Sequence, residues 1–421
     1  MKRFNIIAAL AVLFFANAYG ADPTDTKYSP AECQGSYRPY PTPTQMTAVP
    51  DSLTPVFINH VGRHGARYPS SAKNALTLRQ ALRRADSTGS ITSLGRELQK
   101  ITDHVIAVSD GKWGALDSLG MAEQRGIASR MVMGYPDIFA DGGTITALSS
   151  YSPRAMMSMY SFTHQMDRLN NKFEFTTTTG RKNSYLMRPF DTDKDYLEFR
   201  KSEEWKPAYD NMVASTCPTT AIRRVLGENY PFSNKKEEQD LAMTEYYVVA
   251  ALSAMGISYD ALKLFTSEEY NALWSCFNMR QYLQRTATTI SSVPASIAGP
   301  LILDLISTTD AVIEGTSSDI AYLRFGHAET IMPLASLLRL QGCYYLTNYF
   351  DTVAMHWRNF EVVPMASNIQ FIIFKTDNGH YYVRTDLNER PVRLIPNDSR
   401  IYIPWGEARE YMMRCVPIYM Q

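Results

Sequence analysis

Beyond residue 20 the chain lacks any uninterrupted apolar run of the roughly 18 residues that a membrane-spanning helix needs. Cysteine is scarce: Cys33, Cys217, Cys276, Cys343 and Cys415 are the five in 421 residues. They lie far apart, with no CxxC pair and no Cys/His spacing of a metal site, which excludes a disulfide scaffold or a zinc module. An odd count leaves at least one thiol unpaired in a monomer, so zero to two bridges are expected, in no assigned pairing. Net charge is absent too, with 42 Lys plus Arg against 42 Asp plus Glu. A near-neutral chain does not bind nucleic acid through bulk charge, and any strongly anionic ligand must meet a local cluster of cations. The motifs GxGxxG, GxxxxGKS/T, GxSxG and HExxH are all missing. His60, His104, His164, His356 and His380 have no metal-site spacing, and His60, inside an apolar run, reads as a buried, hydrogen-bonded core residue.

What is present begins with MKRFNIIAALAVLFFANAYG. Lys2 and Arg3 precede a short apolar stretch, then small residues at Ala16, Ala18 and Gly20. This is the pattern of an export signal over residues 1–20, too short for a membrane anchor. The expectation is an exported protein, periplasmic or secreted. About 400 residues remain, more than one compact core usually holds, which suggests two domains or one large domain with an insertion.

Residues 21–50 are rich in Pro, Thr, Ser and Tyr and predict little regular structure. The apolar run 55–61 predicts a buried strand, closed by Gly62. Helical spacing follows over 71–85 and 117–134. Residues 144–149 predict a second strand, and Met156, Met159, Phe162, Met166 and Leu169 recur at helical spacing over 155–169. Residues 173–193 are polar and predict irregular chain. From about 196 to 290 the pattern is helical, clearest at 241–255 and 267–287. A helix over 299–313, a strand over 320–325 and a helix over 330–340 come next. Residues 367–375 and 380–385 predict a strand pair turned at Asp377-Asn378-Gly379. The expected architecture is α/β: a three-layer core (21–171 and 295–421) with a central, mostly parallel sheet flanked by helices, and a mainly helical insertion over 172–294.

Chemistry concentrates in Gly62-Arg63-His64-Gly65-Ala66-Arg67-Tyr68-Pro69. Two arginines flank one histidine directly after a strand. Arginine offers planar, multi-donor contact to phosphate oxygens, and the next helix turns its N-terminus to the same place. Two more strand-to-helix junctions carry Arg154 and the pair His327 and Glu329. In an open α/β sheet such junctions converge at the carboxyl edge of the strands. The set Arg63, Arg67, Arg154 and His327 can hold phosphate oxygens. His64 can act as nucleophile while neutral, and Glu329 can protonate the leaving group and then activate water. With arginines neutralising the charge, no metal or other cofactor is expected.

Arg63-His64-Gly65-Ala66-Arg67-Tyr68-Pro69 resembles the RHGxRxP signature of the histidine acid phosphatases. His327-Ala328-Glu329 resembles the HAE tripeptide of one branch, the multiple inositol polyphosphate phosphatases; most other branches carry His-Asp there, and here Ala328 stands at the aspartate position. The resemblance implies metal-free, stepwise removal of phosphates from inositol polyphosphates. So anionic a substrate needs further cations, for which Lys73, Arg79, Arg83, Arg181, Lys182 and Arg188 are candidates. The expected partner is this small anionic molecule alone, with no nucleic acid, no membrane and a monomeric state. Two other readings stay open: a phosphatase for other small esters, such as sugar phosphates or bisphosphoglycerate, and a non-catalytic phospholigand-binding homologue.

Overall fold

The computed structural model describes residues 27–420; the expected export segment, 1–20, lies outside the described residues. Among the described residues, eight strands form one sheet: β1 (Thr54–Arg63), β2 (Gly143–Ser149), β3 (Phe173–Thr178), β4 (Asp319–Gly326), β5 (Asn368–Lys375), β6 (Tyr381–Leu387), β7 (Arg390–Val392) and β8 (Tyr402–Pro404). Their order is β3-β2-β4-β1-β5-β6-β7, with β8 also on β6. The mixed sheet is parallel from β3 to β1 and antiparallel from β1 through β5 to β6, β7 and β8.

β1 is central, and from Phe57 to Arg63 every residue is buried. Its side chains alternate between two layers. Phe57 and Val61 enter a core with the helices Gly299–Ile313, Ala328–Leu337 and Trp405–Cys415. Ile58 faces the opposite core, with Ser118–Gly134 and Pro153–Leu169. A helix layer therefore covers each face of the sheet. The stretch Val293–Ile313 is apolar and long enough, by length and composition, to cross a membrane. That departs from the expectation of no such later stretch; here Leu301, Ile302, Leu305 and Ile306 are buried inside the fold.

Several sequence expectations change. Residues 173–178, read as irregular, form β3 in parallel register with β2, so the sheet runs past the expected boundary at 172. Phe-Glu-Phe-Thr-Thr-Thr is a half-exposed edge strand, and its β-branched threonines were the available signal. The helices Ser93–Ser109 and Trp405–Cys415 and the short strands β7 and β8 were not anticipated. The helical body is also wider than the insertion: Lys73–Ser87 and Ser93–Ser109 share a core with Thr220–Leu226, Lys235–Ala250 and Ser267–Arg285. His60 is buried between the rings of Phe162 and Phe325, but neither ring nitrogen has a hydrogen-bond partner. Burial pulls its pKa down to about 3, so it sits in the core as a neutral ring. All five cysteines are free thiols.

Glu245, on Lys235–Ala250, is 0% exposed, and neither carboxyl oxygen has a partner. Burial pushes its pKa up from 4.5 to about 8. The folded chain then holds it protonated while the unfolded chain ionises it. Its favourable contribution is complete below pH 4.5 and is lost progressively as the pH rises to about 8. Glu245→Gln is expected to leave stability at pH 4 unchanged and to raise it by about 4 kcal/mol at pH 8. Thermal unfolding of both proteins across this range checks it; identical melting at pH 8 would contradict it.

Candidate active site

β1, β2 and β4 end level with one another, Arg63 opposite Gly326 and Ser149 opposite Phe325. The residues after these strands therefore meet at one sheet edge. His64 is buried there. Its N–H donates to Gly326 O (3.1 Å), and its carbonyl accepts from Ala366 N–H (3.1 Å). Nδ1 lies 2.9 Å from Gly65 O. A carbonyl only accepts, so the ring proton belongs on Nδ1 and Nε2 keeps its lone pair. Burial first, then the guanidinium groups of Arg154, Arg63 and Arg67, push the His64 pKa well below its ordinary value. The ring is thereby held neutral.

The loop carrying His64 is pinned to the helix Ser118–Gly134. Ala66 N–H donates to Glu123 Oε2 (2.7 Å) and Tyr40 N–H to Glu123 Oε1 (2.8 Å). Gln124 Nε2 donates to Arg63 O (2.9 Å), and Gly65 N–H donates to Ser158 Oγ (3.2 Å). Two glycines interlock at the crossing. A Cβ on Gly65 would stand 2.3 Å from Gly120 O, and one on Gly120 would stand 2.2 Å from Ala66 O. The motif glycine is thus required by close backbone approach.

Around His64 the arginines are held but not satisfied. Arg63 Nη1 donates to Ser36 O (2.7 Å) and Val363 O (2.6 Å), and Arg67 Nη1 donates to Tyr68 O (2.8 Å). The Nε atoms of Arg63, Arg67 and Arg154 are buried without a partner. Burial and then Arg67 lower Arg63 to about 9 and Arg154 to about 10, so both remain cations at neutral pH. Buried, unpaired donors on crowded cations make a site for an anion.

The His327 ring centre lies 5.5 Å from that of His64. Arg188 Nη1 approaches its Nε2 at 2.9 Å, as does Ser150 Oγ, while Arg154 Nη2 stands 3.5 Å from Nδ1. A guanidinium can only donate, and one stands at each ring nitrogen, so Arg188 and Arg154 compete for the single lone pair of the neutral ring. Burial, then Arg154 and Arg188, push this ring's pKa well below the usual histidine range. Glu329 opens the helix Ala328–Leu337, with Arg285 Nη2 at 3.4 Å from Oε1. Burial would raise its carboxyl, but Arg285, His327, a backbone hydrogen bond and Arg63 outweigh this and bring it down to about 2.

The six outer cations divide. Arg188 reaches His327 and is braced by Asp191 (2.6 Å). It shares the Tyr151 ring with Arg181. Lys73 lines a cavity that also holds Lys206, Tyr247 and Arg280. Arg79 and Arg83 lie about 9 and 15 Å further along the helix Lys73–Ser87 than Lys73, and Lys182 is exposed beside Arg181. Sequence reasoning missed Arg200, Arg280 and Arg285, which line a cavity of about 250 Å³ with Glu329, Tyr37 and Tyr247. They come from helices far away in sequence, where nothing local marks them. It also missed Ser150, Glu123 and Gly120.

A parallel α/β edge that gathers a neutral histidine, unpaired arginines and a carboxylate defines a phosphatase of the histidine type. Residues 56–388 match the model of the histidine phosphatase superfamily, branch 2, and the chain belongs to that superfamily. It is 26% identical, over 423 aligned residues, to the human multiple inositol polyphosphate phosphatase 1, covering 90% of this chain and 83% of that protein. The fold matches the Bifidobacterium longum multiple inositol polyphosphate phosphatase, solved with phosphate, at a TM-score of 0.78 and 19% identity; the match covers 92% of this chain and 99% of that one. It also matches a phytase from D. castellii, at a TM-score of 0.70 and 16% identity over 91% of this chain and 85% of that one.

Gly120 lies in the first turn of its helix, where alanine would ordinarily favour the helix by up to about 1 kcal/mol. The backbone contact with Ala66 reverses this. Gly120→Ala is expected to lower stability by about 2 kcal/mol and to cut phosphatase activity more than tenfold, since the His64 loop must shift. A variant as stable and active as the parent would show that the loop is not clamped here.

Proposed function

We propose that this phosphatase removes phosphates one at a time from inositol polyphosphates through a phosphohistidine on His64, with Glu329 as proton donor. The observation that carries the reading is the neutral His64, anchored through Nδ1, facing arginines whose buried Nε atoms have no partner. Unaided hydrolysis of a phosphate monoester is so slow that the required acceleration reaches about 10²¹-fold. Such a barrier calls for fixed charge around the phosphoryl group together with covalent catalysis.

In the first step the Nε2 lone pair of His64 forms the N–P bond while the P–O bond to the inositol ring breaks. The departing oxygen takes the bond's electrons and a proton from Glu329. In the second step Glu329 accepts a proton from water, the water oxygen attacks phosphorus, and the N–P pair returns to Nε2. Arg63, Arg67 and Arg154, with His327, hold the equatorial oxygens, where charge is spread in the transition state. Because Glu329 is ionised in the free protein, the proton for the leaving group enters with the substrate. The bound phosphate's own negative charge raises the Glu329 carboxyl in the complex, and turnover of alcohol esters falls as the pH rises through the range in which Glu329 gives up that proton.

The substrate class rests on the named relatives and on cations beyond one phosphate. Arg188, Arg200 and Arg280 surround the catalytic group on the helical side, placed to meet further phosphates of a polyphosphorylated ring. The export-type N-terminus supports action outside the cytoplasm.

Purified protein, with no added metal, is expected to release phosphate faster from inositol hexakisphosphate than from an aryl phosphate. His64→Ala is expected to lose activity by at least about 10³-fold on both. Glu329→Gln should lose about 10²- to 10⁴-fold on alcohol esters and far less on aryl esters, whose leaving groups need little protonation. Binding without phosphate release by the parent protein would sink the reading.

A further inference from the structure

Arg285 stands apart from the other arginines around the site, because its contacts run to the acid instead of the space beside His64. It is the last residue of the helix Ser267–Arg285. Nη1 donates to the hydroxyl of Tyr196, a buried residue on the helix Lys194–Ser202, and the guanidinium also lies against the Tyr196 ring at 5.7 Å. The Tyr196 hydroxyl donates to Gln284 O (3.2 Å). Arg285 is thereby clamped between two helices, and its Nη2 points at Glu329 Oε1. Glu329 itself rides on a third element, the helix after β4. The charged groups facing the carboxylate are Arg63 at the end of β1, Arg67 after it, Arg154 on Pro153–Leu169, Arg200 on Lys194–Ser202 and Arg285, with the titratable His327 ring beside it. Of these, Arg285 has the Glu329 carboxylate as its ion-pair partner. Asp191 adds a more distant negative charge that acts on Arg285.

We propose that Arg285 is a positioning residue for the proton donor: tied to Tyr196, it holds the Glu329 carboxyl in place across the phosphoryl group from His64 and sets when that carboxyl takes up a proton. The inference rests on the reading of Glu329 given above. An opposite charge at this range lowers a carboxyl pKa by about one to three units. Removing it makes Glu329 hold its proton to higher pH while loosening its aim. A substrate-binding arginine would act differently, through KM for the polyphosphate.

The test compares Arg285→Gln, Arg285→Lys and Glu329→Gln with the parent full-length chain on glycerol 2-phosphate, 4-nitrophenyl phosphate and inositol hexakisphosphate, with thermal unfolding of each. Arg285→Gln is expected to lower kcat on the alkyl ester about tenfold and on the aryl ester less than about threefold. Its alkaline limb of kcat on the alkyl ester should move up by about one pH unit. Arg285→Lys, which keeps the charge, should restore the limb to the parent position. A rise in KM confined to the hexakisphosphate, with alkyl turnover unchanged, would overturn the proposal and assign Arg285 to substrate. Equal losses on both simple esters with an unmoved limb would overturn it in favour of a structural role. If Glu329→Gln itself fails to separate alkyl from aryl esters, the assignment of the donor fails, independently of Arg285.

Discussion

Arg63, Arg67 and Arg154 are held with buried, unpaired donors around two imidazoles, and this crowding of like charge is the condition on which the rest of the site depends. With burial as the larger cause, it keeps His64 and His327 neutral, while Arg285 foremost, with Arg63 behind it, draws the Glu329 carboxyl toward ionisation against its burial. Left to themselves such groups would repel one another and stay in water. The fold holds them because each is tethered at its other end: Arg63 to two carbonyls, Arg67 to Tyr68 O, and His64 through its own Nδ1. The buried charge is offset by binding an anion, which is also the group on which the chemistry occurs.

The sheet supplies the rigid part of this arrangement. Parallel pairing of β1 with β4 sets Arg63 opposite Gly326, so the histidine after one strand and the carboxylate after the other share one edge although some 265 residues separate them in the chain. Glu123 and the Gly65–Gly120 crossing then fix the loop. The helical body supplies the other wall. Arg188, Arg200, Arg280 and Arg285 all lie in the segment between β3 and β4, so the segment that interrupts the sheet in sequence also closes over its edge.

Much of this was legible in the residues. The run Pro55–Val61 announced a buried strand because both faces of β1 are covered, leaving no polar alternation. The hairpin of β5 and β6 was readable from Asp377-Asn378-Gly379, where Gly379 takes φ +83. RHGxRxP and HAE marked the groups proposed to react through residue type alone. What misled was local appearance: the Phe-Glu-Phe-Thr-Thr-Thr edge strand looked polar because one of its faces meets solvent.

The sequence by itself determined which groups could react, because nucleophilicity, acidity and the geometry of a guanidinium belong to side-chain types and short spacings. Only the tertiary structure decided which of the many remaining cations face the reacting groups. Arg285 reaches Glu329 because two helix termini happen to meet there, and such a meeting is set by packing between segments whose order along the chain carries no record of their distance in space.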